Sequence, residues 1–169
     1  ITLVQKPFSI GARIEHPQSL INRAQYGAAA EHPALGAADY KLALHLPSGR
    51  SVYTFCMCPG GTVVAAASEE NSVVTNGMSY YARDGVNANS ALLVGVGPED
   101  FGSEHPLAGM FLQRRIEQKA FVLGGQTGYA PCQTVGDLLA GHASGKLGCV
   151  QPSYKPGVVP CDLSELLPL

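Results

Sequence analysis

Charged side chains are scarce in this sequence of 169 residues, which holds 13 acidic and 11 basic residues, 14% of the chain. An average domain of this length would carry about 42 charged residues. The formal net charge of −2 and the isoelectric point near 6.2 leave no basic excess, which argues against nucleic-acid binding. Because so few charges cannot solvate a whole free surface, we expect part of the surface to face another protein segment.

The sequence also lacks long apolar runs. No stretch approaches the roughly 20 apolar residues of a membrane-spanning helix, and residues 1–10 lack the apolar region of a signal peptide. We therefore expect a cytoplasmic protein. The hydrophobic content of 46% is enough for a packed core, which excludes intrinsic disorder. The chain opens on Ile1 without a methionine and closes on the apolar Leu169, which indicates a piece of a larger protein or a chain whose tag has been removed.

A nucleotide-binding fingerprint is missing as well. In residues 95–102 the third glycine is displaced by one position, and Pro98 interrupts the start of the helix that should hold a pyrophosphate. No phosphate-binding loop of the Gly-x-x-x-x-Gly-Lys-Ser type occurs either. We interpret residues 95–102 as a turn after a strand.

The cysteine pattern gives neither a disulfide framework nor a zinc site. The five cysteines are an odd number without regular spacing, at positions 56, 58, 132, 149 and 161. One residue separates Cys56 from Cys58, whereas structural zinc sites use a spacing of two to four. In an extended strand with a rise of ~3.3 Å per residue, their side chains would lie too far apart to pair easily. The sequence predicts reduced thiols and no bound metal.

Alternation and turn residues predict a β-rich first part. Apolar residues alternate with polar ones over residues 8–15, which is typical of a half-buried strand. Further strands are predicted at residues 40–46, 51–57, 62–67, 72–75 and 91–96, the last one covered on both faces. Short turns between successive strands require antiparallel pairing.

Helices are predicted at residues 18–25 and 106–123, and short ones after the capping residues Thr134 and Asp162. The fold class is therefore α+β: a mostly antiparallel sheet or partial barrel followed by a small helical part. A β-rich lobe would span residues 1–102 and a helical lobe residues 103–169.

The most distinctive turn follows the strand at residues 51–57. It places Cys58 at the strand tip, followed by Pro59, Gly60 and Gly61. Glycines after a strand allow close approach of a ligand to the backbone. The alternatives are an ordinary tight turn, or a reactive thiol at Cys58 if a base or cation lowers its pKa.

A dense polar region lies between the predicted strands. It contains the candidate ligand contacts Asn76, Arg83, Asn87 and Asn89, whose amide and guanidinium groups suit an anion, a carbonyl or the edge of a flavin ring. The alternative is that asparagine and aspartate serve turns here. No Ser-His-Asp grouping or spaced pair of acids stands out, so the catalytic residues are unknown.

Six motifs spread over nearly the whole chain are long enough to be specific. They are KPFSIGARIEHPQ (residues 6–18), YTFCMCPGG (53–61), TNGMS (75–79), RDG (83–85), NANS (87–90) and PSY (152–154). Together they resemble a bacterial family of predicted FAD-dependent dehydrogenases, described as NAD(FAD)-utilising dehydrogenases without a settled substrate.

The resemblance implies a place for this chain in a larger flavoprotein. In such proteins the FAD-binding fold is split by an inserted domain, and the similarity puts residues 1–169 at that insertion. FAD would be bound mainly outside the chain, by the FAD-binding domain of the same polypeptide, and the isolated chain would bind none. The inserted domain would cover the flavin and form the pocket for a small-molecule substrate. The family offers no established catalytic residue to carry over.

Two other functions remain open from the residues alone. One is a stand-alone β-rich binding or scaffold module without a redox role. The other is a thiol enzyme that uses Cys58, for which the sequence positions no base.

Overall fold

The computed structural model describes residues 2–167, so Ile1 and Leu169, on which the expectation about the termini rests, lie outside the described residues. The strands are β1 (Phe8–Pro17), β2 (Ala43–His45), β3 (Ser51–Cys58), β4 (Gly61–Ala65), β5 (Thr75–Ser79), β6 (Asn87–Val96), β7 (Ala130–Cys132) and β8 (Val158–Pro160). The α-helices are α1 (Gln18–Tyr26), α2 (Ala108–Leu123) and α3 (Val135–Ala140). Short 3₁₀ turns lie at Gly27–Ala29, Pro98–Asp100 and Leu163–Glu165.

The central sheet has the order β1-β6-β3-β2, and all of its neighbouring strands are antiparallel. Its longest pairing joins β1 to β6 over ten residues, from Phe8 opposite Val96 to Pro17 opposite Asn87. Because side chains opposite each other share a sheet face, this register puts Arg13, Glu15 and Asn89 on the same face.

Two smaller sheets accompany the central one. Strands β4 and β5 form an antiparallel pair, and β7 and β8 form a short parallel pair. Strand β3 passes into β4 through Pro59 and Gly60, but the two strands belong to different sheets. The turn therefore makes a corner between sheets, where the sequence predicted a simple antiparallel return.

The helices begin and end close to the predicted positions. Helix α1 follows Pro17 and ends at Gly27, whose φ of 57° suits glycine. Helix α2 ends at Gly124, where a side chain would clash with the carbonyl group of Tyr129. The predicted cap of α3 is confirmed, because Thr134 Oγ1 accepts a hydrogen bond of 3.2 Å from the Asp137 amide.

Apolar side chains pack in two clusters. The larger one joins β4, α2 and β7 through Val63, Val73, Ala120, Ala130 and Tyr154. The smaller one packs Val96, Phe101 and Ala108 against Phe8, Ile10 and Leu112. Strand β6 also buries polar side chains: the largest fully buried side chains are Asn89 and Ser90.

The α+β class is confirmed, and three details of the sequence prediction are corrected. The strand predicted at residues 72–75 is wrong, since β5 occupies Thr75–Ser79. The strand predicted at residues 40–46 shortens to Ala43–His45. Strand β6 starts at Asn87 and is not covered on both faces, because Leu92 is 43% exposed. Among residues 2–167 no helix combines the length and apolar character needed to cross a membrane.

Candidate functional site

A β-bulge in β3 forms the centre of the candidate site. Phe55 lies opposite Ala91 and Cys58 opposite Asn89, so β3 advances three residues while β6 advances two. The extra residue gives Cys56 a φ of 49°, a left-handed conformation that is unfavourable for a side chain with a Cβ. Such strain persists only where the surrounding structure holds it, and it concentrates at functional sites.

Arg13 of β1 stabilises the bulge by a hydrogen bond across the sheet face. Its Nη2 donates to the Cys56 carbonyl oxygen at 2.7 Å and lies 3.6 Å from Cys58 Sγ. Its Nε donates to Asn89 Oδ1 at 2.7 Å. Within residues 2–167 no carboxylate forms an ion pair with this half-buried guanidinium. The described hydrogen-bond partners of the Arg13 guanidinium are therefore neutral groups.

Asn89 and Gly77 pack against the Arg13 side chain. Asn89 is 0% exposed, and its Nδ2 has no hydrogen-bond partner in the structure. Gly77 of β5 packs directly over the hydrogen bond between Arg13 and Asn89, where any Cβ would clash with both polar groups. This close approach explains why glycine stands within a strand at this position.

The Cys58 thiol lies between these groups. It is only 5% exposed and donates to the Cys56 carbonyl oxygen at 3.3 Å. Burial raises the pKa of Cys58 and the neighbouring Cys56 thiol raises it further, whereas the positive charge of Arg13 opposes the shift. We call Arg13, Cys56, Cys58 and Asn89 the bulge cluster.

A second polar network adjoins the bulge cluster on the same sheet face. Glu15 Oε1 accepts a hydrogen bond of 2.8 Å from Asn87 Nδ2, and both oxygens of Glu15 accept from the Ser153 amide at 3.2 Å. Ser153 Oγ in turn accepts from the Val63 amide at 2.8 Å. The network ties the segment before β8 to β1, β6 and β4.

The turn after β3 is packed against the chain's own backbone. Gly60 has a φ of 53°, its amide donates to Gln18 Oε1 at 2.7 Å, and its carbonyl oxygen accepts from the Gly85 amide at 3.2 Å. A Cβ at Gly60 would clash with the backbone of Arg83, and one at Gly61 would lie 2.5 Å from the Met78 carbonyl oxygen. The loop at residues 80–86 thus fills the space that these glycines leave.

Pro59 belongs to the same packing, since its carbonyl oxygen accepts a hydrogen bond of 2.8 Å from Ser79 Oγ. Arg83 has a φ of 51° and an exposed side chain that lines a cleft of about 380 Å³ with Ser19, Asn22 and Leu35. Asn76 is exposed on β5, where its Oδ1 accepts from the Gly77 amide at 2.8 Å.

The structure thus separates the eight predicted site residues into four places. Cys58 and Asn89 meet in the bulge cluster, Pro59, Gly60 and Gly61 form the packed turn, Asn87 joins Glu15, and Arg83 and Asn76 face outward. Sequence reasoning missed Arg13, Glu15, Gln18 and Ser153. Arg13 and Glu15 carried a signal, because they alternate with the apolar residues of β1, but that polar face was interpreted as solvated.

No group of three or more histidine, cysteine, aspartate or glutamate side chains in residues 2–167 is placed to hold a metal ion. All five cysteines are free thiols. The site's chemistry therefore rests on one guanidinium, two neighbouring thiols and a buried amide.

A protein-family model described as FAD-dependent protein, C-terminal domain-like, matches residues 7–169. The chain belongs to this family. Within the curated proteins, a relative from Clostridium beijerinckii described as an uncharacterized protein is 56% identical over 169 residues. The alignment covers 99% of this chain and 32% of that relative, so the chain spans about a third of the relative's length. Membership in the FAD-dependent protein C-terminal domain-like family confirms the expected relation to FAD-dependent proteins.

Proposed function

We propose that the chain is the substrate or cap domain of a cytoplasmic FAD-dependent oxidoreductase, a dehydrogenase that acts on a small molecule. The domain covers the flavin and forms the substrate pocket, while the FAD-binding domain of the same polypeptide holds the cofactor. One observation carries the proposal: the bulge cluster joins Arg13, which has no ion-pair partner among the described residues, to a strained strand within segments that resemble motifs of the flavoprotein family.

The surface around the bulge suits a flat heteroaromatic ring. Phe55, next to Cys56, is 63% exposed, and Tyr81 and Val86 in the loop at residues 80–86 are fully or almost fully exposed. Exposed apolar side chains of this size beside a polar centre are typical of a binding surface. A flavin ring has apolar faces, and its carbonyl edge accepts hydrogen bonds from a group such as Arg13.

The diphosphate of FAD finds no matching site at residues 95–102. There the Gly97 amide donates to Asp100 Oδ2 at 2.9 Å, so a carboxylate already occupies the position that an anion would need. Asp100 is in turn paired with Arg50 at 2.8 Å. This arrangement supports the binding of the diphosphate by residues outside the chain.

When bound, the flavin accepts or donates a hydride at N5. The chain's contribution is to orient and enclose the reacting groups. Arg13 is held by two strong hydrogen bonds and keeps its charge fixed at the bulge, while Phe55 and the neighbouring loop exclude water from the covered ring.

Equilibrium dialysis of the 169-residue chain against FAD tests the division of labour. A few ring contacts at about 0.5–1.5 kcal/mol each cannot meet an association cost of about 4–15 kcal/mol. We expect no binding at micromolar FAD, whereas the longer polypeptide retains the cofactor. A micromolar or tighter dissociation constant for the chain alone would contradict the proposal.

A variant of the longer polypeptide tests the covering surface. Phe55→Ser should shift the visible absorption of bound flavin and raise its fluorescence, because a covering ring is lost. Leu139→Ser on α3, an 83% exposed side chain outside the central sheet, is the control and should leave both spectra unchanged. Identical spectra for the two variants would show that the flavin does not lie against this surface.

A further inference from the structure

We propose that Cys56 and Cys58 form a redox-active dithiol that exchanges with low-molecular-weight disulfides, with Cys56 as the attacking residue and Cys58 as the resolving residue. The proposal goes beyond the cap-domain function and needs no flavin. It concerns thiol chemistry of this chain alone.

The bulge removes the obstacle that the sequence analysis found. In an extended strand two cysteines separated by one residue cannot pair easily, but Cys56 is not extended. Its left-handed conformation turns the backbone so that Cys58 Sγ reaches back to the Cys56 carbonyl oxygen at 3.3 Å. The two thiols are also close enough for Cys56 to influence the ionisation of Cys58. Both thiols are free in the structure, as the sequence predicts, but the bulge lowers the geometric obstacle to their pairing.

The two thiols differ in the way that a two-step exchange requires. Cys56 is exposed and can meet a disulfide from solution, whereas Cys58 is only 5% exposed and is shielded from such a molecule. Arg13 Nη2 lies 3.6 Å from Cys58 Sγ, where its positive charge partly offsets the burial that raises the pKa of this thiol.

Asn89 gives an independent indication that a hydrogen-bond acceptor is missing from the bulge cluster while both thiols are neutral. It lies opposite Cys58 in the sheet register, and its fully buried Nδ2 has no partner. Buried amide donors without a partner are rare in folded proteins. A thiolate at Cys58 would place negative charge beside Arg13 Nη2 and opposite Asn89 in the sheet register.

The exchange balances without any further oxidant. The Cys56 thiolate attacks one sulfur of a disulfide such as oxidised glutathione, which forms a mixed disulfide and releases one glutathione thiolate. The Cys58 thiolate then attacks Cys56 Sγ, the mixed bond breaks and the second glutathione leaves. The protein loses two protons and two electrons, and the glutathione disulfide is reduced to two thiols. The protein ring that closes is small, so its bond is readily reduced again.

Cys149 provides a matched control within the same chain. It is exposed like Cys56, but no second cysteine adjoins it in sequence. Oxidised glutathione should therefore leave a stable adduct on Cys149. On Cys56 the adduct should be removed by Cys58, whose effective concentration is on the order of millimolar or higher.

The experiment incubates the 169-residue chain with oxidised glutathione, blocks free thiols by alkylation in acid, and maps the peptides by mass spectrometry. We expect a Cys56–Cys58 bridge and at least about tenfold less glutathione on Cys56 than on Cys149. In Cys58→Ser, the glutathione adduct should persist on Cys56. In Arg13→Lys, which keeps the charge but loses the fixed geometry, the bridge should form more slowly.

The unchanged chain decides the question even if a variant fails to fold. A Cys56 that carries as much glutathione as Cys149 would overturn the proposal, as would free thiols at both Cys56 and Cys58 in the oxidising buffer. A bridge between Cys132 and Cys161 in place of Cys56–Cys58 would also overturn it. These outcomes do not depend on FAD binding, so they are distinguishable from a failure of the cap-domain proposal.

Discussion

The bulge end of the central sheet and the packing around α2 are built on different principles. Around α2 the buried residues are Val63, Val73, Ala120 and Ala130, whose contacts are nondirectional. At the bulge the buried side chains include Asn89 and Ser90, and the half-buried Arg13 donates to Asn89. Apolar packing tolerates changes that keep volume, whereas a buried polar arrangement loses stability when one partner is removed. The comparison indicates that the packing around α2 depends on side-chain volume, whereas the bulge depends on each of its polar partners.

The largest effect should come from the backbone packing beside the bulge. Gly60→Ala places a Cβ against the Arg83 backbone and forces alanine into a φ of 53°. We expect the free energy of unfolding to fall by about 4 kcal/mol, measured by urea denaturation. Gly145→Ala, where a Cβ meets no atom within 4 Å, is the control and should change it by less than about 0.5 kcal/mol. Equal losses would show that this turn is not tightly packed.

Removing the charge at the bulge tests the polar side of the comparison directly. Arg13→Met keeps the length of the side chain but leaves Asn89 Oδ1 without its donor and the Cys56 carbonyl oxygen with the weak Cys58 thiol donor. The expected loss is about 3 kcal/mol in urea denaturation. Arg115→Met changes an exposed arginine of α2 and serves as the control. It should leave the free energy of unfolding nearly unchanged. If both variants were neutral, Arg13 would not organise the bulge.

Acid should weaken the β1 end of the sheet before it affects the apolar packing. Burial lowers the pKa of His16, partly offset by Glu15, and its ring packs against Tyr40 with centroids 5.5 Å apart. The unfolded chain binds the proton first, so stability contributed by neutral His16 is present above pH 6.5 and lost as pH falls below it. The urea midpoint should be lower at pH 5.5 than at pH 7.5, and this difference should be smaller in His16→Gln. A pH dependence of equal size in the variant would assign the effect to other groups.

The smallest effect on stability is expected at Arg83. Its side chain is exposed, and alanine must adopt the same left-handed conformation as arginine at this position. The free energy of unfolding should therefore change by less than about 0.5 kcal/mol in Arg83→Ala. In the longer flavoprotein the same variant should reduce turnover, because the guanidinium lines the cleft beside α1. A strong loss of thermal stability with unchanged kinetic constants would instead make Arg83 a structural residue.

The sequence predicted elements whose pattern is local. Strand β1 and helix α2 were found because their apolar residues repeat along one face, and α3 because Thr134 caps it. Strand β5 was misplaced because Asn76 and Gly77 are typical turn residues. Only the approach of Arg13, far away in sequence, explains the glycine there.

The candidate site was predicted only in part, because the contacts that assemble it join residues far apart in sequence. Cys58 and Asn89 were singled out from the sequence, but the relation between them depends on the register of β3 against β6. The bulge at Cys56 has no local signal, since a left-handed conformation at a cysteine is unfavourable by itself. Long-range contacts decide both features, and one sequence does not display them.

The pairing of β1 with β6 has a consequence for biosynthesis. Strand β1 leaves the ribosome before β2 to β5, and its partner β6 emerges only after those four strands have been translated. Throughout that interval the nascent chain carries an unpaired amphipathic strand, which is a template for wrong association. Formation of the bulge cluster, which needs Arg13 from β1 and Asn89 from β6, must therefore come late in folding. Chaperone protection during translation should matter more for this protein than for one whose neighbouring strands follow each other along the chain.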